Sequence, residues 1–373
     1  MKRRVTLAVR RWFPEGGMQR TLLRLARELK SRGVRVRVVT TSWDGDVPDG
    51  IEIHIVRARA LTNHGKNQVF ARAVGALDRE PGEILVGFQK MAGLDVYYAG
   101  DPCYVDRMRR RRFAGLRGLL PRYRAFRRAE GAVFAQGAST RILLFSPVQK
   151  PLYQRCWDTE EERMYLLPPG VDLERLKRGV AMAPEAGALR GELNIPPSAP
   201  LLLTVGSGYH TKGVDRVLRL LVALPKAYAV IVGRDDTRRW KALADRHSVA
   251  GRVRIMGPRD DVATFYLAAD LYVHPARLEN TGSTLLEAMA LGLPVVCSGV
   301  CGFADHVRLA KAGRVLSEPF RDDDLIGEIR GLIEDDVERE RMGAAGKAYV
   351  ADHDLTSLIP RAADVILAQS TES

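Results

Sequence analysis
The sequence runs twice through one rhythm: short β-branched runs alternate with amphipathic stretches of helical period, and the step Pro168-Pro169-Gly170 separates the two passes. Strands joined by helices through short connections imply a mostly parallel sheet covered on both faces. In the first pass, Val5 to Val9 reads as a strand, Gly16-Gly17 as a loop, and about Met18 to Arg32 as a helix. That helix places Leu22, Leu25, Ala26 and Leu29 on one face and arginines on the other, and Gly33 ends it before a strand over Val34 to Thr40. Ile51 to Val56, Ile84 to Phe88 and Ile142 to Phe145 read as further strands. Pro-Pro-Gly continues neither a helix nor a central strand, so the stretch from Leu166 to Asp172 reads as an inter-domain linker. Val180 to Pro200, rich in Ala, Gly and Pro, reads as a loosely structured entry to the second pass. There Leu201 to Val205, Tyr228 to Val232, Val253 to Met256, Leu271 to His274 and Pro294 to Cys297 are the strands, with a helix over Val214 to Ala223. The expected fold class is α/β: two Rossmann-like domains, residues 1–168 and 169–355, with their strand-end loops across one cleft. The final helix, Thr356 to Gln369, is expected on fold-level grounds to return to the first domain.

Composition removes several alternatives. A chain of 373 residues with 46% hydrophobic content can bury a core in each of two domains, which excludes disorder. The longest apolar runs, such as Leu201 to Val205 and Leu291 to Val296, fall far short of the ~20 residues of a membrane-spanning helix. The basic N-terminus gives way to Arg10-Arg11-Trp12 after a few apolar residues, so it reads as a first strand, not a secretion signal, and a cytoplasmic location is expected. Cys103, Cys156, Cys297 and Cys301 form no zinc-like pairing of pairs and read as reduced thiols. The net charge of +13 points to phosphorylated substrates, an anionic membrane surface or nucleic acid.

The strongest local signal is the run from Pro275 to Ala288, which follows a strand and opens a helix. Glu279 lies on its loop, Gly282 permits close backbone approach, and Glu287 falls about one turn into the helix. The helix N-terminal amides at Gly282 to Leu285 form an anion site suited to a diphosphate, with Thr281, Gly282 and Ser283 as donor-binding candidates. Two carboxylates flanking such a site make sense if they grip hydroxyls of a sugar and a ribose; a capped helix with two solvated glutamates also fits.

Glu-x7-Glu after a strand, with Gly282 between, resembles the signature of glycosyltransferase family 4. The segments from Trp12 to Arg20, Ser42 to Asp46, Thr62 to Asn67, Gly87 to Asp101 and Leu166 to Gly170 are similar, in that order, to those of the lipopolysaccharide-core (heptosyl) glucosyltransferases I of that family. The resemblance implies the GT-B architecture, an acceptor-binding N-terminal and a donor-binding C-terminal domain, no metal requirement and retention at the anomeric carbon. It also implies UDP-glucose as donor and a lipid-linked, heptose-containing acceptor. On that pattern Glu279 holds donor-sugar hydroxyls, Glu287 the ribose, and Lys212 the diphosphate, where an amine offsets charge developing on the leaving group. Relatives carry an arginine before this lysine where this chain has Thr211, which leaves His210 as a substitute. Arg259 aligns with a position beside the nucleotide base, though a surface arginine fits equally. Gly16 and Gly17 let backbone approach the donor phosphate, or form a simple turn. Asp101 aligns with a cleft-facing carboxylate that orients or deprotonates the acceptor hydroxyl; it could instead cap the helix that follows. His64, Lys66 and Lys90 are candidates for gripping acceptor phosphates. Asp44-Gly45-Asp46 matches the Asp-x-Asp metal motif of another glycosyltransferase class but reads as a turn.

Between Cys103 and Phe134 acids nearly vanish. Arg109, Arg110, Arg111, Arg112, Arg117, Arg122, Arg124, Arg127 and Arg128 are interleaved with Phe113 and other apolar residues, the composition of an interfacial helix on anionic lipid. The related core enzymes carry an insertion here to which membrane contact is ascribed. A solvated helical face is the simpler alternative. A nucleic-acid-binding module would instead show basic stripes in both domains and a recognisable motif, neither of which is seen. The expected protein is a peripheral enzyme of the inner membrane's cytoplasmic face.

Overall fold
A computed structural model describes residues 3–14, 16–109, 118, 120–183 and 186–368. Contacts divide the chain into two compact units, residues 1–168 with 357–373, and residues 169–356.

The N-terminal unit is built on β1 (Arg4–Ala8), β2 (Arg35–Thr40), β3 (Ile51–Ile55), β4 (Ile84–Gly87), β5 (Val96–Tyr98), β6 (Arg141–Leu144) and β7 (Met164–Leu166). Their spatial order is β3-β2-β1-β4-β5-β6-β7, with parallel pairing throughout. The winding direction reverses between β1 and β4, the place where open sheets of this kind gather ligands. Helix α1 (Gly17–Ser31) buries Leu22, Leu25, Ala26 and Leu29, the face its spacing predicts. Each of those leucines contributes on the order of 1.5–3 kcal/mol by leaving water. The C-terminal helix, Leu358–Ala368, joins this core through Leu358, Ile359 and Ile366. Arg32 fastens it, donating to Asp364 Oδ1 at 2.5 Å and to the Pro360 carbonyl at 3.1 Å.

Helix α2 (Asn63–Gly75) has no counterpart among the sequence expectations. Its periodicity is weak because it buries only Phe70 and Val74, and Thr62 starts it by accepting from Gly65 N at 3.1 Å. The basic stretch forms α3 (Tyr104–Arg109) and α4 (Pro121–Phe134), followed by α5 (Lys150–Trp157).

The C-terminal unit contains β8 (Leu201–Val205), β9 (Tyr228–Val232), β10 (Val253–Gly257), β11 (Leu271–His274), β12 (Val295–Ser298) and β13 (Gly313–Leu316). The order is β10-β9-β8-β11-β12-β13, again all parallel, with the reversal between β8 and β11. Successive residues feed opposite cores: Leu203, Val230 and Tyr272 pack on one face, and Leu202, Ile231 and Val273 on the other. Helix α6 (Leu173–Ala181) follows the linker, and the segment expected to be loose, Val180 to Pro200, is partly helical through the end of α6 and α7 (Ala186–Glu192). Asp172 caps α6 through Arg175 N at 3.0 Å. Arg190 of α7 donates to the carbonyls of Ala268, Pro197 and Ala199, tertiary ties that local composition does not reveal. All four cysteines are free thiols.

Candidate functional site
The C-terminal unit brings its two switch-point loops together. After β8 the chain makes one helical turn, α8 (Tyr209–Lys212), and enters α9 (Val214–Ala223) through Gly213. Gly213 has φ +76°, and a Cβ there would lie 2.1 Å from the Pro275 carbonyl, so only glycine lets the loops close on each other. Thr211 O accepts from Arg277 N at 2.8 Å. Arg277 forks onto Asp215 at 2.6 and 2.7 Å. These ties aim Lys212 at the loop after β11, where its ammonium pairs with Glu279 Oε2.

Glu279 also accepts from His274 Nε2 at 3.0 Å, and His274 Nδ1 lies 3.1 Å from the Tyr272 hydroxyl. His274 is fully buried, and burial pushes its pKa below the ordinary value. The neutral ring donates from Nε2 to Glu279 and turns the Nδ1 lone pair to the Tyr272 hydroxyl, whose single proton is shared between His274 and the Val205 carbonyl at 3.2 Å. Burial alone would raise the Glu279 carboxyl; the His274 hydrogen bond and the Lys212 charge outweigh it and hold the pKa well below the usual carboxylate range. Gly282, at φ +90°, precedes α11 (Ser283–Ala290) and supplies no side-chain cap. Leu285 N of the first turn donates to the Gly282 carbonyl at 2.9 Å, which leaves the amides of Ser283 and Thr284 at the helix mouth for an anion. One turn on, Glu287 accepts from Arg175 Nη2 at 3.5 Å and from the Tyr266 hydroxyl of α10 (Val262–Ala268) at 3.1 Å.

Of the other residues assigned to the donor, His210 shares α8 with Lys212, while Arg259, Gly16 and Gly17 lie outside these two loops. His210 is exposed, and its carbonyl, not its ring, meets Arg277 at 3.4 Å. Arg259 forms a fork with Asp261 at 2.8 and 2.6 Å on the surface. Gly16 and Gly17 belong to the N-terminal unit at the start of α1. Gly16 is packed so closely on Gln19 that a Cβ would fall 2.0 Å from Oε1, whereas Gly17 faces open space.

In the N-terminal unit a cavity of about 860 Å³ opens at the β1/β4 switch point. The loops after β1 and β4, α2, α3 and α4 line it, and they bring His64, Lys90 and Asp101 to one wall. Lys66 instead lines a neighbouring cavity of about 320 Å³. Lys90 is not free to grip a phosphate: its ammonium is bound by Glu130 Oε2 at 2.6 Å and by the Pro102 carbonyl at 2.8 Å. Glu130 is completely buried and also accepts from Tyr104 N at 2.6 Å, Val105 N at 3.0 Å and Trp157 Nε1 at 3.0 Å. It therefore takes the amides that open α3, and Asp101 is not needed as their cap. Asp101 is exposed at the cavity wall, and its carbonyl accepts from the Tyr153 hydroxyl at 3.1 Å.

Of the residues assigned to the membrane, Arg110, Arg111, Arg112, Phe113 and Arg117 lie outside the described residues. The rest divide. All five are exposed, but Arg122 and Arg128 line the cavity, while Arg109, Arg124 and Arg127 are absent from its wall. Tyr104 packs on Phe126 and Tyr123 at ring distances of 5.2 and 6.0 Å, so these aromatics of the basic stretch meet one another and are half-buried. Asp44-Gly45-Asp46 is an exposed turn, with Gly45 at φ +98°. Among the described residues no cluster of three or more His, Cys, Asp or Glu could hold a metal, and no helix is long and apolar enough to cross a membrane.

Residues 186–349 match the model of the group 1 glycosyl transferases and residues 15–85 that of glycosyltransferase family 4. Over 368 residues, 97% of this chain and 98% of the relative, the sequence is 37% identical to lipopolysaccharide glucosyltransferase WaaG of Escherichia coli strain K12. The chain belongs to the family 4 glycosyltransferases. It is thus an enzyme, a hexosyltransferase of the GT-B fold. A crystal structure of WaaG, described as a glycosyltransferase involved in lipopolysaccharide biosynthesis, superposes with a TM-score of 0.89 at 35% identity, covering 99% of this chain and all of that one. Anabaena Alr3699/HepE, solved with UDP-glucose, shares the fold alone at 16% identity, with a TM-score of 0.72 over 98% of this chain and 99% of that one. Within this family member, His274 and the cavity arginines are what the sequence reading misses. The sequence places His274 at the end of a strand but gives its side chain no role, and only the fold shows that it points inward at Glu279.

Proposed function
We propose that this hexosyltransferase moves glucose from UDP-glucose to an inner-core heptose of lipopolysaccharide, with retention and without a metal cofactor, at the cytoplasmic face of the inner membrane. The observation that carries the reading is the Lys212–Glu279 pair beside an uncapped helix mouth, in a chain 37% identical over almost its whole length to a lipopolysaccharide glucosyltransferase.

In this reading the diphosphate rests on the first-turn amides of α11, and Lys212 turns its ammonium toward the leaving oxygen. Charge then develops next to fixed donors, which is where preorganised electrostatics lower a barrier most. Glu279 stays ionised and grips hydroxyls of the transferred sugar; His274 keeps the carboxylate from rotating away. Glu287, held by Tyr266 and Arg175, accepts from the ribose. These groups supply the charge compensation that a metal supplies in other glycosyl transfers. Asp101, at the wall of the N-terminal cavity, orients the acceptor hydroxyl. The exposed Arg109, Arg124 and Arg127 draw the protein to anionic lipid, where each basic residue contributes about 1 kcal/mol.

A panel of UDP-, GDP- and ADP-hexoses in thermal unfolding tests the donor assignment. Stabilisation by UDP-glucose above the others, absent in Glu279→Ala and Lys212→Ala, is expected; an equal response to all of them would remove it.

A further inference from the structure
The N-terminal cavity has a charge pattern that its assigned residues do not explain. Arg10, Arg11, Arg72, Arg107, Arg122 and Arg128 all line it, from the loop after β1 and from α2, α3 and α4, and among the described residues Asp101 is the one carboxylate on its wall. None of the six guanidinium groups pairs with a described carboxylate, although arginines elsewhere in this unit routinely do, as Arg37 does with Glu83 at 2.5 Å and Arg155 with Asp106 at 2.7 Å. Burial and the neighbouring charge of Arg11 both push the Arg10 pKa down, as expected of cations crowded without a counter-ion. Two wall atoms are buried with no hydrogen-bond partner, Arg107 Nε and Asn67 Oδ1. Such orphans are costly and mark a surface finished by something else. Aromatic support holds two of the cations in place: Arg107 lies 5.3 Å over the Tyr104 ring and Arg122 5.8 Å over Phe126.

We propose that this cavity is an anion-binding site for the acceptor, and that it selects saccharides carrying several phosphate or carboxylate groups over neutral ones of the same shape. The proposal rests on the acceptor reading above for the identity of the sugar, not for the chemistry of the site. It reassigns Arg122 and Arg128 from the membrane surface to substrate recognition, and leaves Arg124 and Arg127, on the same helix, to the lipid. Asp101 is then the one acidic group among cations, placed to meet a hydroxyl while the arginines hold the charged substituents around it.

The test uses the full chain and three probes: a delipidated core oligosaccharide with its charged groups intact, the same oligosaccharide dephosphorylated and carboxyl-reduced, and phosphatidylglycerol vesicles. Binding is compared for wild type, Arg107→Gln/Arg128→Gln and Arg124→Gln/Arg127→Gln. The cavity pair is expected to weaken the charged oligosaccharide about tenfold per arginine, to leave the neutral one unchanged, and to leave vesicle binding unchanged. The outward pair is expected to do the reverse, weakening vesicles only. Equal binding of charged and neutral oligosaccharide by wild type would overturn the proposal. So would loss of vesicle binding in the cavity pair with oligosaccharide affinity intact, because the six cations would then belong to the lipid-facing surface. Glucose 1,6-bisphosphate separates the two readings: if the core acceptor is wrong but the site is right, this probe still binds wild type and not the cavity pair. Retained thermal stabilisation by UDP-glucose shows that the variants are folded.

Discussion
The two switch points of this molecule share a topology and differ in how they treat charge. In the C-terminal unit almost every charge at the site has a protein partner: Lys212 with Glu279, Arg277 with Asp215, Arg175 with Glu287. Among the described residues of the N-terminal unit, Lys90 alone of the cavity cations is paired with a carboxylate, that of Glu130, and the six arginines around it are not. Pairing fixes geometry before a ligand arrives, which suits a site that must stabilise one developing charge. Unpaired cations keep their full attraction for the ligand, which suits a site that must capture a charged one. One fold, used twice, thus supplies a half whose charges are paired in advance and, on the proposed reading, a half completed by its acceptor.

The largest expected effect breaks the exception. Glu130→Gln removes the only counter-ion of buried Lys90 and weakens the acceptor of two helix amides. Losing one partner of such a pair costs about 3–5 kcal/mol, so urea unfolding of the N-terminal unit should shift accordingly. An unchanged midpoint would mean that this unit tolerates unpaired buried charge everywhere. In the C-terminal unit, Glu279→Gln and Lys212→Ala should each lower turnover by about 10²–10³-fold, with fold stability nearly intact; a change in donor KM alone would show that the pair binds without contributing to the transition state. His274→Phe keeps a flat ring and deletes the N–H that fixes Glu279. Turnover should fall about tenfold, the worth of one hydrogen bond to a charged group, and His274→Gln should recover part of it by donating from its amide.

The smallest effect is in acid. Burial places the folded-state pKa of His274 below the ordinary 6.5. As pH falls through 6.5 the unfolded chain takes up a proton that the folded one still refuses, so stability declines toward the folded-state pKa and then levels. His274→Phe should remove that part of the slope in calorimetry. The contribution of Glu279, whose pKa is depressed, is present above the ordinary carboxylate value and is lost at still lower pH. A slope unaffected by the substitution would place the acid sensitivity in other groups.

What could be read from the sequence follows from how local each signal is. Leu201 to Val205 is buried at every position, and so announces a central strand without any help from the fold. Glu279, Gly282 and Glu287 are legible because one loop and one helix carry all three. Helix α2 is not, since two buried residues in thirteen leave hardly any period to detect. The charge of the basic stretch is obvious, but its division is not: Arg124 and Arg128 look alike until the packing of Tyr104 and Phe126 fixes which face of α4 meets the cavity. Arg10 and Arg11 read only as the end of an apolar run, and Arg72 as part of an unassigned stretch. Lys90 shows the converse, a loop cation whose partner lies forty residues away on α4.

The most direct measurement of the central claim is product analysis by NMR after incubating the purified chain with UDP-glucose and a delipidated heptose-containing core oligosaccharide. The account predicts one new α-linked glucose per UDP released, with the signal lost in Glu279→Gln. A β-linked product, or the same turnover in that variant, would contradict it.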